Sequence, residues 1–173
     1  MRTLVCSLAA VLALGAALSP HAAAAQGGEI VVKNVLEMRA KDLLAIAVRH
    51  IEERGEAGVE DFARQSTFVD RDLYAYAVRT DGRFLASGGA SAALVGDNVL
   101  DYRDSEGKAF FREMIEIAKR DGEGAVEYHW FNPADSRGDP KVTFFRKVGE
   151  VIVAVDYYPP RATSTQARAL LDQ

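Results

Sequence analysis

The sequence predicts an α+β fold: a five-stranded antiparallel sheet with a long helix on one face and a lid of loop and helix on the other. Segments 125–131, 141–148 and 151–158 are rich in β-branched and aromatic residues, and turn-forming residues separate them. The gaps are too short for a crossover helix, so these three strands should pair antiparallel. An alternating segment at 73–79, followed by Asp81-Gly82, predicts a hairpin that supplies the other two strands.

Residues 1–25 are predicted to be a secretory signal peptide. Arg2 gives a short positive start, residues 4–18 are apolar, and Ala23-Ala24-Ala25 favours cleavage before Gln26. An uncleaved membrane anchor is the alternative, although the apolar run is shorter than the roughly 20 residues that span a bilayer. The one cysteine, Cys6, lies in this run, so disulfide and thiol chemistry are not expected in the exported chain.

Residues 26–173 have the length of one domain, and we divide them into a helix at 29–54, a core at 72–158 and a tail at 159–173. Without Arg2 the chain has 20 basic and 25 acidic residues, a net charge of −5. The charges are interspersed, which argues against a nucleic-acid partner.

The segment 29–54 has apolar residues at three- and four-residue spacing, which predicts the long helix. At ~1.5 Å per residue it would be about 40 Å long, more than one sheet can cover. We therefore expect it to pack on the core, with a homodimer seam along its outer end as the alternative. Gly55 and Gly58 are expected to end it, and a short helix is predicted at 59–65.

The strand at 73–79 presents two different faces. Tyr74, Tyr76 and Val78 lie on one face, and the other is rich in alanine, which leaves room for the long helix to pack closely. The Asp81-Gly82 pair favours a type I′ turn before a return strand at 84–87.

The lid is predicted from two segments. The glycine-rich stretch 88–103 contains four apolar residues and should fold over the sheet: Leu94, Val95, Val99 and Leu100. A helix at 108–120 follows, with Asp104 or Ser105 as its cap. Pro159-Pro160 ends the last strand, and a short helix is predicted at 163–171. Together these elements form an α+β sandwich of PAS-like shape.

Several short motifs in a fixed order resemble those of single Cache domains, which are extracytoplasmic sensors with a PAS-like fold. They read LVGDNVLDYRDSEGKAFFREMIEIAK, GAVEYHW, NP, DPKVTFFRK and VIVAVDYY. The resemblance implies a small organic ligand, often a short carboxylate such as acetate, lactate or pyruvate, in a pocket between the sheet and its covering loop. Relatives are mostly the outer portions of membrane receptors, chemoreceptors for chemotaxis or sensor histidine kinases. With no second apolar span, this chain is expected to be a stand-alone periplasmic form that signals through such a partner.

Three positions depart from the family pattern. Ser87 stands where relatives often have histidine, Phe144 where they often have tyrosine, and Asp156 where they often have glycine. These changes are expected to alter ligand choice.

Tyr128 and Trp130 share a strand face and are predicted to line the pocket, with Tyr76 as a further candidate, because aromatic walls with a polar edge suit a small ligand. An ordinary sheet core is the alternative. Lys141 is predicted to neutralise a ligand carboxylate, and a solvated strand end is its alternative. Phe144 would join the pocket only if a bulge offsets the alternation; otherwise Phe145 shares the face of Lys141.

Asp156 is unexpected in an apolar strand, because a buried carboxylate needs a partner. We favour an exposed edge position or a pair with Arg103 or Arg146; facing the pocket, it would instead hold the ammonium of an amine or amino acid. His129 has no second histidine nearby, and Asp101, Asp104 and Glu106 lack the spacing of a calcium loop, so neither a metal nor a cofactor is expected.

The sequence therefore predicts a periplasmic sensor that binds a short carboxylate and performs no catalysis. An interaction or structural module with a closed pocket is one alternative. An enzyme using Glu127, His129 and Asp156 is the other, and no nucleophile motif or phosphate loop supports it.

Overall fold

The computed structural model describes residues 20–132 and 137–160. Its helices and strands run in this order: α1 (Pro20–Arg54), β1 (Val69–Asp70), β2 (Leu73–Arg79), β3 (Phe84–Ser87), α2 (Phe110–Asp121), β4 (Glu123–Asn132), β5 (Arg137–Val148) and β6 (Val151–Tyr157). Short 3₁₀ helices span Gly55–Ala63, Ser66–Phe68 and Ala90–Leu94. The helix predicted at 163–171 lies outside the described residues.

The strands form one antiparallel sheet in the order β1-β2-β6-β5-β4, with β3 also paired to β2. The antiparallel arrangement and the five predicted strands are confirmed, and β1 is a sixth. β1 was missed because it has only two residues, which pair as Val69 with Tyr74 and Asp70 with Leu73. β6 lies between β2 and β5, so the most apolar strand occupies the interior of the sheet.

Helix α1 packs on the alanine-rich face of the sheet, as predicted. Ala40 and Ala47 on the helix and Ala75 and Ala77 on β2 are all fully buried, because small side chains let the helix approach the strand closely. The helix ends at Arg54, and Gly55 takes a φ of +64°, the left-handed conformation that suits glycine after a helix. Its start at Pro20 lies before the predicted start at residue 29.

Two local predictions were wrong in type. The segment predicted as a helix at 59–65 is a 3₁₀ helix that begins directly after α1 at Gly55. The hairpin between β2 and β3 has a three-residue loop instead of a type I′ turn: the Arg79 amide donates to the Arg83 carbonyl, and Gly82 alone in the loop has a positive φ, +94°. The Asp-Gly pair also fits this loop, since the three-residue loop needs one left-handed position and Gly82 occupies it.

The opposite face of the sheet, which we call the tyrosine face, is covered by α2 and by the segment 88–103. Val99 is fully buried there and Leu94 packs at its edge, whereas Val95 is 50% exposed. Neither Asp104 nor Ser105 caps α2, whose first turn has no side-chain cap. Asp104 instead accepts the amides of Glu106 and Lys108, which closes a loop ahead of the helix. Among the described residues, no helix has the length and apolar character needed to cross a membrane.

Candidate functional site

The candidate site lies between the tyrosine face and the lid. Strand alternation brings polar side chains of β5 and β6 to this face, since Thr143 pairs with Asp156 and Lys141 is two residues from Thr143. Aromatic residues of β2, β4 and α2 surround them. The cavity is lined by Tyr76, Phe84, Ser91, Leu94, Phe110, Phe111, Tyr128, Trp130, Lys141 and Asp156. Five of the six predicted site residues therefore come together here.

A buried ion pair forms the centre of the site. Lys141 Nζ lies 2.6 Å from Asp156 Oδ2, and each side chain is 4% exposed. Our preferred prediction for Asp156 was wrong: β6 is an interior strand, so Asp156 is not at an edge. The two arginines named as partners are engaged elsewhere, Arg103 with the carbonyl of Gly107 and Arg146 with Glu123.

A chain of hydroxyl groups leads to the same carboxylate oxygen. Tyr76 Oη donates to Thr143 Oγ1 (3.4 Å), Thr143 Oγ1 donates to Tyr128 Oη (3.2 Å), and Tyr128 Oη donates to Asp156 Oδ2 (3.2 Å). Asp156 thus receives a neutral donor besides the ammonium, as a buried carboxylate requires. Thr143 was not predicted as a site residue, although its two-residue spacing from Lys141 places it on the same face.

Burial and charge act in opposite directions on the lysine. Burial alone lowers the pKa of Lys141, but the Asp156 carboxylate, together with Tyr74 and Tyr158, raises it by more, so the pKa of Lys141 lies above its ordinary value. The ammonium also lies 4.9 Å from the ring centre of Tyr158 and 5.5 Å from that of Tyr74, within cation–π range. The site therefore holds a permanently charged cation in an apolar surrounding.

The two buried tyrosines are kept neutral. Burial, followed by the Asp156 charge, raises the pKa of Tyr76, and burial is also the main cause of the raised pKa of Tyr128. Their hydroxyl groups remain hydrogen-bond donors across the physiological pH range, which is the form that suits an anion.

Aromatic rings from the sheet and from α2 form the walls. Phe110 stacks on Tyr128 with ring centres 3.9 Å apart and planes 7° apart, and Trp130 meets both rings edge-on at 5.5 and 6.1 Å. On the other side Tyr76 stacks on Phe84 at 5.6 Å. Such rings exclude water from the polar pair and leave a flat apolar space beside it.

The lid fits closely over this space. Ser87 Oγ lies 2.9 Å from Ser91 Oγ and accepts the Gly89 amide, which holds the first turn of the lid segment to β3. A side chain on Gly89 would lie 2.2 Å from the Tyr74 ring. The cavity volume is about 10 Å³, far below the roughly 300–1,000 Å³ of typical ligand pockets. The site as observed is closed.

The structure places Phe144 away from the site. No bulge interrupts the pairing of β5 between Lys141 and Val148, so Phe145 shares the face of Lys141 and Phe144 points towards α1. Phe144 stacks on Tyr157 at 5.9 Å, and Lys41 of α1 lies 4.7 Å above its ring. It lines a surface cleft of about 430 Å³ between α1 and strands β4 and β5. Its prediction as a ligand residue is therefore corrected.

The carboxylates near His129 belong to a turn. His129 donates its amide to Asp104, and His129 Nδ1 lies 3.5 Å from Glu106. Across residues 20–132 and 137–160 no group of three or more histidine, cysteine, aspartate or glutamate side chains is arranged to hold a metal ion.

A central antiparallel sheet with a long helix on one face and a lidded polar pair on the other defines a PAS-like sensor fold. A family model described as a Cache domain matches residues 48–158, and the chain belongs to that family. Three solved structures share the fold. A methyl-accepting chemotaxis protein from Vibrio parahaemolyticus is 16% identical with a TM-score of 0.61, over 78% of this chain and 96% of that one.

The second is a periplasmic sensor domain of a chemotaxis protein, 20% identical with a TM-score of 0.54. The third is a Cache chemosensory domain whose structure concerns carboxylic acid recognition, 17% identical with a TM-score of 0.55. Each of these two matches covers 82% of this chain and all of the other. At these identities the likeness shows the fold and leaves the ligand to be argued from the site.

Proposed function

We propose that this protein is a periplasmic sensor module that binds a short organic carboxylate on Lys141, without catalysis, and signals through a partner protein. Residues 1–25 would direct export, and residues 26–173 would form the ligand-binding domain. The observation that carries the proposal is a buried, charged lysine among aromatic walls. A lysine ammonium on a solvated strand end would serve solubility, whereas one that is 4% exposed needs an anion beside it.

The surroundings of Lys141 suit a small carboxylate. Tyr76 and Tyr128 offer neutral hydroxyl donors, and Trp130 and Phe110 offer flat apolar surfaces for a short carbon chain. The similar Cache chemosensory domain is reported in connection with carboxylic acid recognition, which supports the same ligand class for this chain.

Signalling would follow from lid movement. A ligand larger than the present space must move the segment 88–103 or α2, and Tyr74 lies between that segment and Lys141. β2 carries Tyr74 and pairs with β1, where Asp70 accepts a hydrogen bond from Arg39 of α1 at 2.8 Å. This route connects the lid with α1, and we expect a membrane receptor or sensor kinase to read the change.

The outer surface of α1 supports a homodimer as the signalling form. Five large apolar side chains are 44–60% exposed on this helix: Val32, and four at helical spacing, Val31, Val35, Met38 and Ile46. The four at helical spacing form one stripe. They face away from the alanines that contact the sheet, so a second copy of α1 would cover them.

A closed interaction module is the second candidate function. The 2.6 Å contact between Lys141 and Asp156 already neutralises the cation, and the enclosed volume is small. In that case the ion pair would be a structural feature, and Asp156 would hold no ligand ammonium.

Thermal unfolding of the purified protein with acetate, lactate, pyruvate, amino acids and amines distinguishes these functions. A carboxylate at about 100 times its Kd should stabilise the fold by about 2.7 kcal/mol, which raises Tm by roughly 5–10 °C for a domain of this size. The shift should vanish in the doubly neutral variant Lys141→Met, Asp156→Asn and persist in Lys119→Met, which changes an exposed lysine. A shift with amines alone would move the anchor to Asp156, and no shift with any compound would favour the closed module.

A further inference from the structure

A carboxylate that binds Lys141 must take the place of one that is already there. Asp156 Oδ2 lies within hydrogen-bond distance of the ammonium, and it also accepts from Tyr128. The cation and its internal anion are both 4% exposed. Asp156 is thus an internal competitor for any external carboxylate.

Ionisable side chains face the pair from β2, from β4 and from the residue after β6. They are Tyr74 and Tyr76 from β2, Tyr128 from β4, and Tyr158 after β6. Helix α2 contributes Phe110 and Phe111, and the lid segment contributes Ser91 and Leu94. Within the described part of the chain, Lys141 is the one cation at this site.

Lys141 and Asp156 supply one positive and one negative charge at this site. With Asp156 ionised, an added carboxylate would place two anions beside one buried cation, and like charges at a shared buried site cannot both stay ionised without a large cost. Loss of the lysine proton would not help, because it would remove the positive charge that attracts the ligand carboxylate. A proton on Asp156 restores the balance of one cation and one anion.

We propose that this site takes up a carboxylate together with one proton, which Asp156 receives, so that the sensor responds to a carboxylate more strongly in acid. The inference rests on the proposed function and assigns Asp156 the role of a specificity-determining residue. The hydrogen bond from Lys141 to Asp156 breaks, the ligand carboxylate accepts that bond, and a solvent proton binds the Asp156 carboxyl group.

The hydroxyl chain can accommodate the new proton. A protonated Asp156 becomes a donor, and Tyr128 can then accept from it, since a hydroxyl group both donates and accepts. The hydroxyl hydrogens of Thr143 and Tyr76 can also rotate, so that each hydrogen bond along the chain reverses its direction of donation. The protonated acid therefore keeps a hydrogen-bond partner without the lysine.

Calorimetric titration of the full purified protein tests this, with acetate, lactate and pyruvate as probes between pH 5.5 and 8.0. At pH 7.5 and 8.0 each titration is run in phosphate and in Tris, whose different ionisation enthalpies reveal the number of protons exchanged. We expect uptake of about one proton for each carboxylate bound, and a Kd that rises up to about tenfold per pH unit on the alkaline side. Binding of these probes without proton exchange would overturn the inference and leave the proposed function intact.

The variant Asp156→Asn provides the second measurement. It removes the internal competitor at nearly constant volume, so we expect carboxylate binding at pH 8.0 at least tenfold tighter than wild type, with no proton uptake. A preference of the wild type for glycine over acetate that disappears in Asp156→Asn would overturn the inference, because Asp156 would then hold the ligand ammonium. Failure of all three probes to bind either protein at any pH would overturn the proposed function itself. The proton count in the wild type does not depend on whether the variant folds.

Discussion

The Lys141 ammonium and the Asp156 carboxylate lie 2.6 Å apart on neighbouring strands, each 4% exposed. The other side chains that line the cavity are uncharged, so each of these two charges is neutralised by the other. This dependence makes the pair a sensitive point for stability as well as for ligand binding.

Removing only the lysine should therefore be costly. Lys141→Met leaves Asp156 buried without its cation and should lower the free energy of unfolding by about 3–5 kcal/mol at pH 7. Adding Asp156→Asn should recover most of that loss, because no uncompensated charge remains. Urea unfolding of the four proteins of this double-mutant cycle measures the coupling; additive losses would show that the ion pair does not stabilise the fold.

The fold was predictable from the sequence because its signals are periodic. The alternation of Tyr74, Tyr76 and Val78 with alanines assigned both faces of β2, and the same period placed Tyr128 with Trp130. Such patterns depend on local backbone geometry, so they can be interpreted without knowing which strands or helices pack against the segment.

The partner of Asp156 was not predictable in this way. Its pairing with Lys141 depends on β6 being an interior strand and on the register between β5 and β6, and neither follows from local pattern. Phe144 could be assigned only after the structure showed that β5 has no bulge near it. Long-range register, more than residue type, set the limit of the sequence analysis.

Alkaline pH should destabilise the protein through the buried tyrosines. The pKa of Tyr76 is raised in the fold above about 10, the pKa of tyrosine in the unfolded chain. The contribution of Tyr76 to stability is therefore complete below about pH 10 and is lost as the pH rises further. Each such group lowers the free energy of unfolding by up to about 1.4 kcal/mol per pH unit in that range. The pKa of Lys141 is also raised, so a rise in pH lowers the free energy of unfolding through Lys141 as well, from about pH 10.4 upward.

The test is to compare Tyr76→Phe with Thr143→Val between pH 7 and 11.5. Both remove the 3.4 Å hydrogen bond between these residues, at a cost of about 0.5–1.5 kcal/mol at pH 7, and Thr143→Val also removes the 3.2 Å bond to Tyr128. Only Tyr76→Phe removes an ionisable group. Above pH 10 the free energy of unfolding of Tyr76→Phe should fall less steeply with pH than that of the wild type, and the difference in slope should correspond to about one proton. Thr143→Val should keep the wild-type slope. Equal slopes in both variants would show that ionisation of Tyr76 does not cause the loss of stability at alkaline pH.

The lid should depend on the absence of a side chain at Gly89. A methyl group there would lie 2.2 Å from the ring of Tyr74, which cannot move away as a flexible chain would. Gly89→Ala should therefore cost about 1–3 kcal/mol and open the lid segment, seen as faster amide hydrogen exchange in residues 88–96. Gly138→Ala is the control, because its nearest atom would be at an ordinary 3.7 Å. Similar effects of the two substitutions would argue against close lid packing.

The exposed apolar stripe of α1 predicts a concentration-dependent dimer. Met38 is 56% exposed and Ile46 is 47% exposed on this helix, whereas Ala40 is fully buried against the sheet. The double variant Met38→Glu, Ile46→Glu should weaken self-association at least tenfold without lowering Tm of the isolated domain, since neither side chain packs in the core. Sedimentation equilibrium measures the association. Lys33→Glu, which places an acidic side chain at an exposed polar position about 140° around the helix from Met38, provides the control. A wild type that stays monomeric at millimolar concentration would rule out this dimer.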